Sequence, residues 1–537
     1  MKLFGTILFF WITGTLSIFG QSDLLKGKLI DAQTIEPVAF ATVAAKGRAV
    51  GVISNADGSF SVPERFKIYG DTLEVSSLGY EVRQILMSRL SVDKVRTIYL
   101  QPAVFELKEA IVKGNKKRRL SARQIVRRAI KNISKNYPQN PFSIVGYYRD
   151  YQLRENKFIN LNEAIIEVYD AGFKQVDSAT TKVQIYDYKR NTDFKRDTLA
   201  DNPYDYLNRE KVIDNAFLKD YGGNEFIILR VHDAIRNYGI DSFDFINTLA
   251  EDILRNHSFR KEPLTYDKDV ALYTIKFKNT LPSAFSRGTL YISPNNFAIH
   301  KLEYKVFSDM RRFIKSDKGQ KRPDVKLIFE VNTEYRRAFG KMYLNYISFH
   351  NNFEVTKPPK FTLDSTLVNA PGGYYMSYFN KPVDSISAKR KKNYDLIFNK
   401  KRFGIESIEV FQDSVKLYTD SSFKRAMANY RWEMGTLIRK GRSAEVEELF
   451  SLRVKNIRDV EGNLVNEPEI EDYQQFRELF VQEVKPNTHL PSDVLLMDKH
   501  KPIFKDQPIS RPDNFDDYWM NTPLQKIGQQ KTGRTSR

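Results

Sequence analysis

Apolar residues at every second position, in short runs cut by glycine, proline, aspartate and asparagine, constrain this chain more than any other feature. A period of two puts alternate side chains on opposite faces of a strand, whereas a helix needs apolar positions every three or four residues. From Lys26 onward KGKLIDA, VAFATVAAKG, AVGVIS, GSFSV, DTLEVSSLGYEV and VRTIYL follow one another, rich in valine, isoleucine, threonine and aromatics. About seven strands in roughly 85 residues make a small two-layer β-sandwich.

Within it, ISNADGSFSV (Ile53 to Val62) reads as a hairpin loop. Asn55 and Asp57 bond neighbouring amides and tolerate positive φ, Gly58 adopts it freely, and Phe60 returns the chain to the core. Gly79 marks a second turn, in LGYE. Asn55, Asp57 and Ser59 alternate as oxygen ligands do, but a calcium loop needs further acidic ligands and a bidentate glutamate, and Glu64 stands alone behind Pro63. The turn is expected to be architecture, with no metal and no cofactor.

On KGKLIDAQTIEPVAFATV, GVISNADGSFSV and LEVSSLGYE, with Gly27, Asp31, Pro37, Val38, Ala41, Val43, Gly51, Asn55, Asp57, Gly58, Phe60, Gly79 and Tyr80 in place, residues 25 to 105 resemble the carboxypeptidase regulatory-like domain. That resemblance implies a transthyretin-like sandwich, found at the start of exported proteins of the Bacteroidetes type. It implies no single activity, since the module precedes peptidases, transporters and uncharacterised bodies. VFELKEAIVKG (Val104 to Gly114) is similar to the segment joining this module to the plug of TonB-dependent transporters, yet the chain is too short for such a barrel.

The first residues, MKLFGTILFFWITGTLSIFGQS, place one cation, Lys2, before an apolar run from Leu3 to Phe19. This is the pattern of a secretory signal peptide, residues 1–20, cleaved between Gly20 and Gln21. The chain is therefore expected to be exported, to the periplasm or to the outer membrane or cell surface. It contains no cysteine, which excludes a disulfide framework, thiolate metal sites, cysteine nucleophiles and a cysteine-linked lipid anchor. Lys and Arg outnumber Asp and Glu by 85 to 66, a net charge of +19. For an exported protein this argues for an envelope protein or an anionic glycan or lipid surface as partner, with peripheral membrane association, and against nucleic acid. Sign-mixed segments such as DKDVALYTIKFKN dominate, so most of the charge reads as solvated surface; the densest basic run, Lys116 to Arg119, reads as linker.

The remaining chain divides by pattern. Residues 21–113 hold the sandwich and residues 114–139 a basic linker with an amphipathic helix. There Ser121 and Gln124 form a capping box, and Ile125, Val126, Ala129, Ile130 and Ile133 share one face. Residues 140–380 carry long alternating segments. In VKLIFEVNTEY, for instance, Val325, Leu327, Phe329, Val331 and Tyr335 share a face, which predicts a large antiparallel sheet covered by a helix near Asp241 to Leu254. GTLYISPNNFAIHKLEYKVF is similar to the half-barrel of lipoprotein carriers, which implies a concave sheet sheltering an acyl chain. Residues 381–537 read as a helical and extended C-terminal region with a flexible tail, anchored by Tyr518 and Trp519. The fold class expected is mainly β with some α, a sandwich followed by an antiparallel sheet body with covering helices.

An enzyme is not expected. The regulatory-like module suggests a zinc carboxypeptidase, whose ligands include a His and a Glu three residues apart, and His300 and Glu303 have that spacing. They lie on a strand, where an odd separation puts them on opposite faces, too far apart to share one zinc. His232, His257, His350, His489 and His500 show no partner spacing. No catalytic residue is assigned. The function expected is binding or assembly at the envelope; the alternatives are a carrier of a lipid in the curved sheet and, third, a hydrolase.

Overall fold

The computed structural model describes residues 24–47, 51–103, 120–213, 224–240, 248–268, 270–281, 284–309, 325–369 and 371–524. Gly20, Gln21, the signal segment, the 104–119 run and the last residues of the tail lie outside them. The chain divides into two compact units, one of Met1–Asn202, Ile213–Phe353 and Tyr473–Arg537, the other of Pro203–Val212 and Glu354–Asp472.

In the first unit the N-terminal module comprises, among the described residues, seven strands: β1 (Leu24–Asp31), β2 (Thr42–Ala45), β3 (Gly51–Ile53), β4 (Ser59–Pro63), β5 (Thr72–Ser76), β6 (Arg83–Leu86) and β7 (Arg96–Leu100). They form two sheets, ordered β4-β1-β7 and β3-β2-β5-β6. Leu29, Val43, Phe60, Val75 and Leu100 fill the space between them. The ISNADGSFSV turn is not a hairpin. It carries the chain from β3 in one sheet to β4 in the other, because β4 pairs with β1, Lys28 opposite Ser59, and not with β3. Gly58 is required there: its φ is +77°, and a Cβ would stand 2.3 Å from the carbonyl oxygen of Leu29.

The body of this unit is built on one long sheet. Its main path runs Lys182–Arg190, Lys157–Asp170, Phe142–Arg154, Glu469–Pro486, Lys341–Lys357, Lys326–Ala338, Ile299–Ser308, Ala284–Ile292, Val270–Thr280 and Ser258–Lys261. The 469–486 strand comes from the region read as helical and extended, and it sits in mid-sheet; its long alternation, YQQFRELFVQEV, supplies the strand signal. One face is covered by helices. The Ala122–Lys131 helix opens on the Ser121–Gln124 capping box, buries Ile125, Val126 and Ala129, and packs on the 284–292 strand. Of the helix expected near Asp241 to Leu254, residues 241–247 lie outside the described part, and the observed element is Asp252–Asn256. Under this cover Leu302, Tyr304, Phe329 and Val331 are buried, with Tyr304 to Phe329 at 6.1 Å and Phe329 to Phe349 at 5.6 Å between ring centroids. These side chains pack on one another as a core.

The second unit holds one sheet ordered Leu363–Asn369, Tyr374–Phe379, Ser414–Thr419, Ile405–Val410 and another ordered Lys401–Phe403, Tyr394–Phe398, Phe450–Val454. The Ser421–Arg439 helix, capped by Asp420, drops Phe423 between the rings of Tyr375, Phe398 and Phe403. Among the described residues no helix is long and apolar enough to cross a membrane.

Candidate functional site at the module–sheet interface

On the Phe142–Arg154 strand, alternation turns Tyr147, Arg149 and Tyr151 to the face opposite the covering helices. Arg149 is wholly buried among aromatic rings, with its guanidinium carbon 4.9 Å from the ring centroid of Phe480 and 5.5 Å from that of Tyr151. A buried guanidinium needs an acid and further acceptors. Glu478, directly opposite on the 469–486 strand, accepts from Arg149 Nε at 2.5 Å. The second acceptor comes from the module: Arg149 Nη1 donates to Asn55 Oδ1 at 2.5 Å.

The turn is preorganised for that contact. Asn55 N–H donates to the carbonyl of Ser59, Gly58 N–H to the carbonyl of Asn55, and Ser59 N–H and Oγ–H to Asp57 Oδ1 at 3.0 and 2.6 Å. Asn55 and Asp57 are fully buried. Gly79, with φ +84°, donates its N–H to the carbonyl of Tyr266 at 3.1 Å, a second point at which the module meets the body.

The C-terminal segment 515–522 lies in the same seam. Trp519 enters the module core, its ring 5.0 Å from that of Phe66, and its indole N–H donates to the carbonyl of Ser61 at 2.8 Å. Gln482 on the sheet bonds the Trp519 backbone at both ends, Nε2 donating at 2.7 Å and Oε1 accepting at 3.3 Å. Asn521 accepts from Ser61 N–H at 2.8 Å and donates to the carbonyl of Ile53 at 3.0 Å. Tyr518 packs with Tyr147, Tyr186 and Phe480 and donates to Glu483. Thr522 donates to Glu163, which also accepts from Tyr147 and Asn191. The expected anchoring by Tyr518 and Trp519 is thus a staple that reaches both parts.

Electrostatics follow from this packing. Burial, the largest influence on Arg149, works against its charge, but the Glu478 carboxylate together with Tyr147 and Tyr151 outweighs it and holds the guanidinium charged. Burial would likewise raise Glu167, yet hydrogen bonds from Ser143, Tyr186 and Tyr169 and the charge of Lys485 hold it below the usual range. Burial, and then the neighbouring carboxylates, push the Tyr147 and Tyr151 hydroxyls well up. Arg149 and Glu478 are sealed from solvent, so a ligand meets neither. The arrangement docks two folded parts of one unit.

The family model of the CarboxypepD_reg-like domain matches residues 25–112. The N-terminal module is a carboxypeptidase regulatory-like domain. No curated protein and no solved structure matches this chain.

Other charged groups serve the covering face of the sheet. Arg236 grips Asp170 through Nε at 2.8 Å and Nη2 at 2.9 Å, and Arg230 bridges Asp170 and Asp177 at 2.9 and 2.7 Å. His300 Nδ1 lies 3.5 Å from Asp267, while Glu303 binds Lys301 at 2.9 Å and accepts from Tyr291. The two are not brought together. Among the described residues no group of three or more His, Asp or Glu is placed to hold a metal.

The regulatory-like domain's Asn55, Asp57, Gly58 and Phe60 were legible as turn residues, but not as a docking surface. Arg149 carried a signal: a lone arginine on the aromatic face of GYYRDYQL calls for a partner. That partner, Glu478, stands 329 residues away, and no local pattern points to it.

Proposed function

We propose that this chain is a non-enzymatic, exported binding protein of the cell envelope in which the carboxypeptidase regulatory-like domain forms a fixed wall of a larger binding body. The observation that carries this reading is the Arg149–Asn55–Glu478 node. It locks the domain onto the sheet with buried, charge-assisted bonds, so the two present one continuous surface. Most polar side chains of the seam bond one another, and the two atoms of the node left without a partner, Arg149 Nη2 and Asp57 Oδ2, belong to fully buried residues that a substrate cannot reach. The basic composition fits an anionic partner, and the N-terminal apolar run fits export.

The test is fractionation of cells producing the full chain with an internal tag in an exposed loop, followed by intact mass and cross-linked pull-down. Recovery in the envelope with a mature start at Gln21 and a reproducible partner is expected. Cytosolic recovery with residues 1–20 retained would refute the address, and turnover of a peptide, ester or glycoside substrate would refute the non-enzymatic reading.

A further inference from the structure

At its other end the long sheet places cations directly opposite one another. Arg260 faces Lys276 across the first strand pair, Lys278 faces Arg287 across the next, and Arg287 faces Lys305 across the third. Like charges in such positions repel, and a strand gains nothing from them unless something negative lies over them. Two of the five are answered within the chain, Arg260 by Glu262 at 2.6 Å and Lys305 by Glu330 at 2.8 Å. Among the described residues Lys276, Lys278 and Arg287 have no carboxylate partner, and all three are exposed, Arg287 lying over the ring of Phe307 at 4.7 Å. The row continues in register through Glu330 to His350, which stacks on Phe476. The cations therefore lie on the same face as the regulatory-like domain, beyond the area it covers. They line a groove of about 590 Å³.

We propose that this groove binds an acidic polysaccharide. Four strands about 4.8 Å apart spread the charges over roughly 14 Å, a span suited to a chain of repeating anions rather than to one small ion. A concave surface receives such a chain edge-on, whereas a bilayer plane would touch only its rims. Single-stranded nucleic acid needs open ring faces for its bases. Here Phe277 and Phe259 turn to the other face, and on the cation face Phe307 is capped by Arg287 at 4.7 Å and stacked on Phe285 at 4.9 Å, so the rings serve the fold. The proposal deepens the envelope-binding reading above by naming the partner's chemistry.

The experiment titrates the full chain with heparin, a sulfated polysaccharide, and with polygalacturonate, a carboxylated one, by calorimetry at low and at moderate salt. Binding that weakens as salt rises is expected, as is a loss of tenfold or more in the Lys276→Ala/Lys278→Ala/Arg287→Ala variant, whose melting temperature is unchanged or raised. A control that removes three exposed cations of the second unit, Arg425→Ala/Arg439→Ala/Lys440→Ala, should bind as the parent does. The proposal is overturned if the groove variant binds as the parent, if the control loses as much, or if an oligonucleotide or anionic-lipid vesicles of equal charge bind as tightly. Cytosolic recovery with groove-dependent binding intact would sink the envelope reading alone; envelope recovery with binding indifferent to the groove would sink this one alone.

Discussion

Phe423 and Arg149 are both fully buried, each near the centre of its own unit. Around Phe423 the second unit has packed Tyr375, Phe398 and Phe403, with the Asp420 cap at the helix start, and its buried Asp459 is answered locally, by Asn463 four residues on. Around Arg149 the first unit has packed rings too, but it has also buried a carboxylate, an asparagine of the module and a backbone carbonyl of the C-terminal strap. An apolar core tolerates any filling of the right volume, whereas a buried ion pair accepts one geometry. The second unit needs only to collapse; the first must join three stretches of chain in one register.

The sharpest way to break this contrast is Arg149→Ala. Glu478 is left buried without a counter-charge, and the first unit should lose about 3–5 kcal/mol. Hydrogen exchange should show it in the amides of 53–62 and 143–151 while those of 394–423 keep their protection. Combining Arg149→Met with Glu478→Leu should recover most of the loss, and failure to do so would mean that geometry, not charge, holds the seam. Next in size is Gly58→Val. The positive φ and the Leu29 oxygen together should cost on the order of 1–3 kcal/mol, read as a lower melting temperature of the full chain. An unchanged transition would place Gly58 in an ordinary conformation. Asn521→Ala removes the bonds to Ser61 and Ile53 and should cost about 1–2 kcal/mol, with faster proteolysis of the C-terminal strap.

The smallest effect is in acid. Burial holds His232, 4.0 Å from the ring of Phe349, at a pKa of about 4, with its bond to the Ile228 carbonyl opposing and Arg477 adding to the shift. The unfolded chain takes up that proton near pH 6.5. The stability from keeping this ring neutral is therefore present above pH 6.5 and lost as pH falls toward 4. Burial gives His257 and His350 the same direction, while Asp150 and Glu334, raised by burial to about 7, act oppositely and lose stability as pH rises. His232→Phe should flatten the acid limb of the first unit by one proton. The second unit contains none of the six histidines, and its protection should vary less across the same window.

What the sequence disclosed divides along the same line. The module's strands, its turn residues and the capping box at Ser121 are local patterns, and each could be read within a dozen residues. The 469–486 strand was hidden by distance, since its neighbours in the sheet begin at Phe142 and Lys341. The turn's role was hidden for the same reason: whether β4 pairs with β3 or β1 depends on long-range register, not on Asn, Asp and Gly. The cations of DKDVALYTIKFKN look sign-mixed along the chain and become a like-charge ladder only when Lys278 is set beside Arg287.

Trp519 completes the core of a domain whose first strand begins at Leu24. The residue that bonds Ser61, Asn521, lies 460 positions downstream, which a ribosome covers in roughly 20–90 s at about 5–20 residues per second. During that interval the domain has an open slot against Phe66, and the Ser61 N–H waits for Asn521. Synthesis order and folding order are thus uncoupled at this domain, and a chain cut short before Trp519 leaves its core incomplete, where a chaperone or protease can read it.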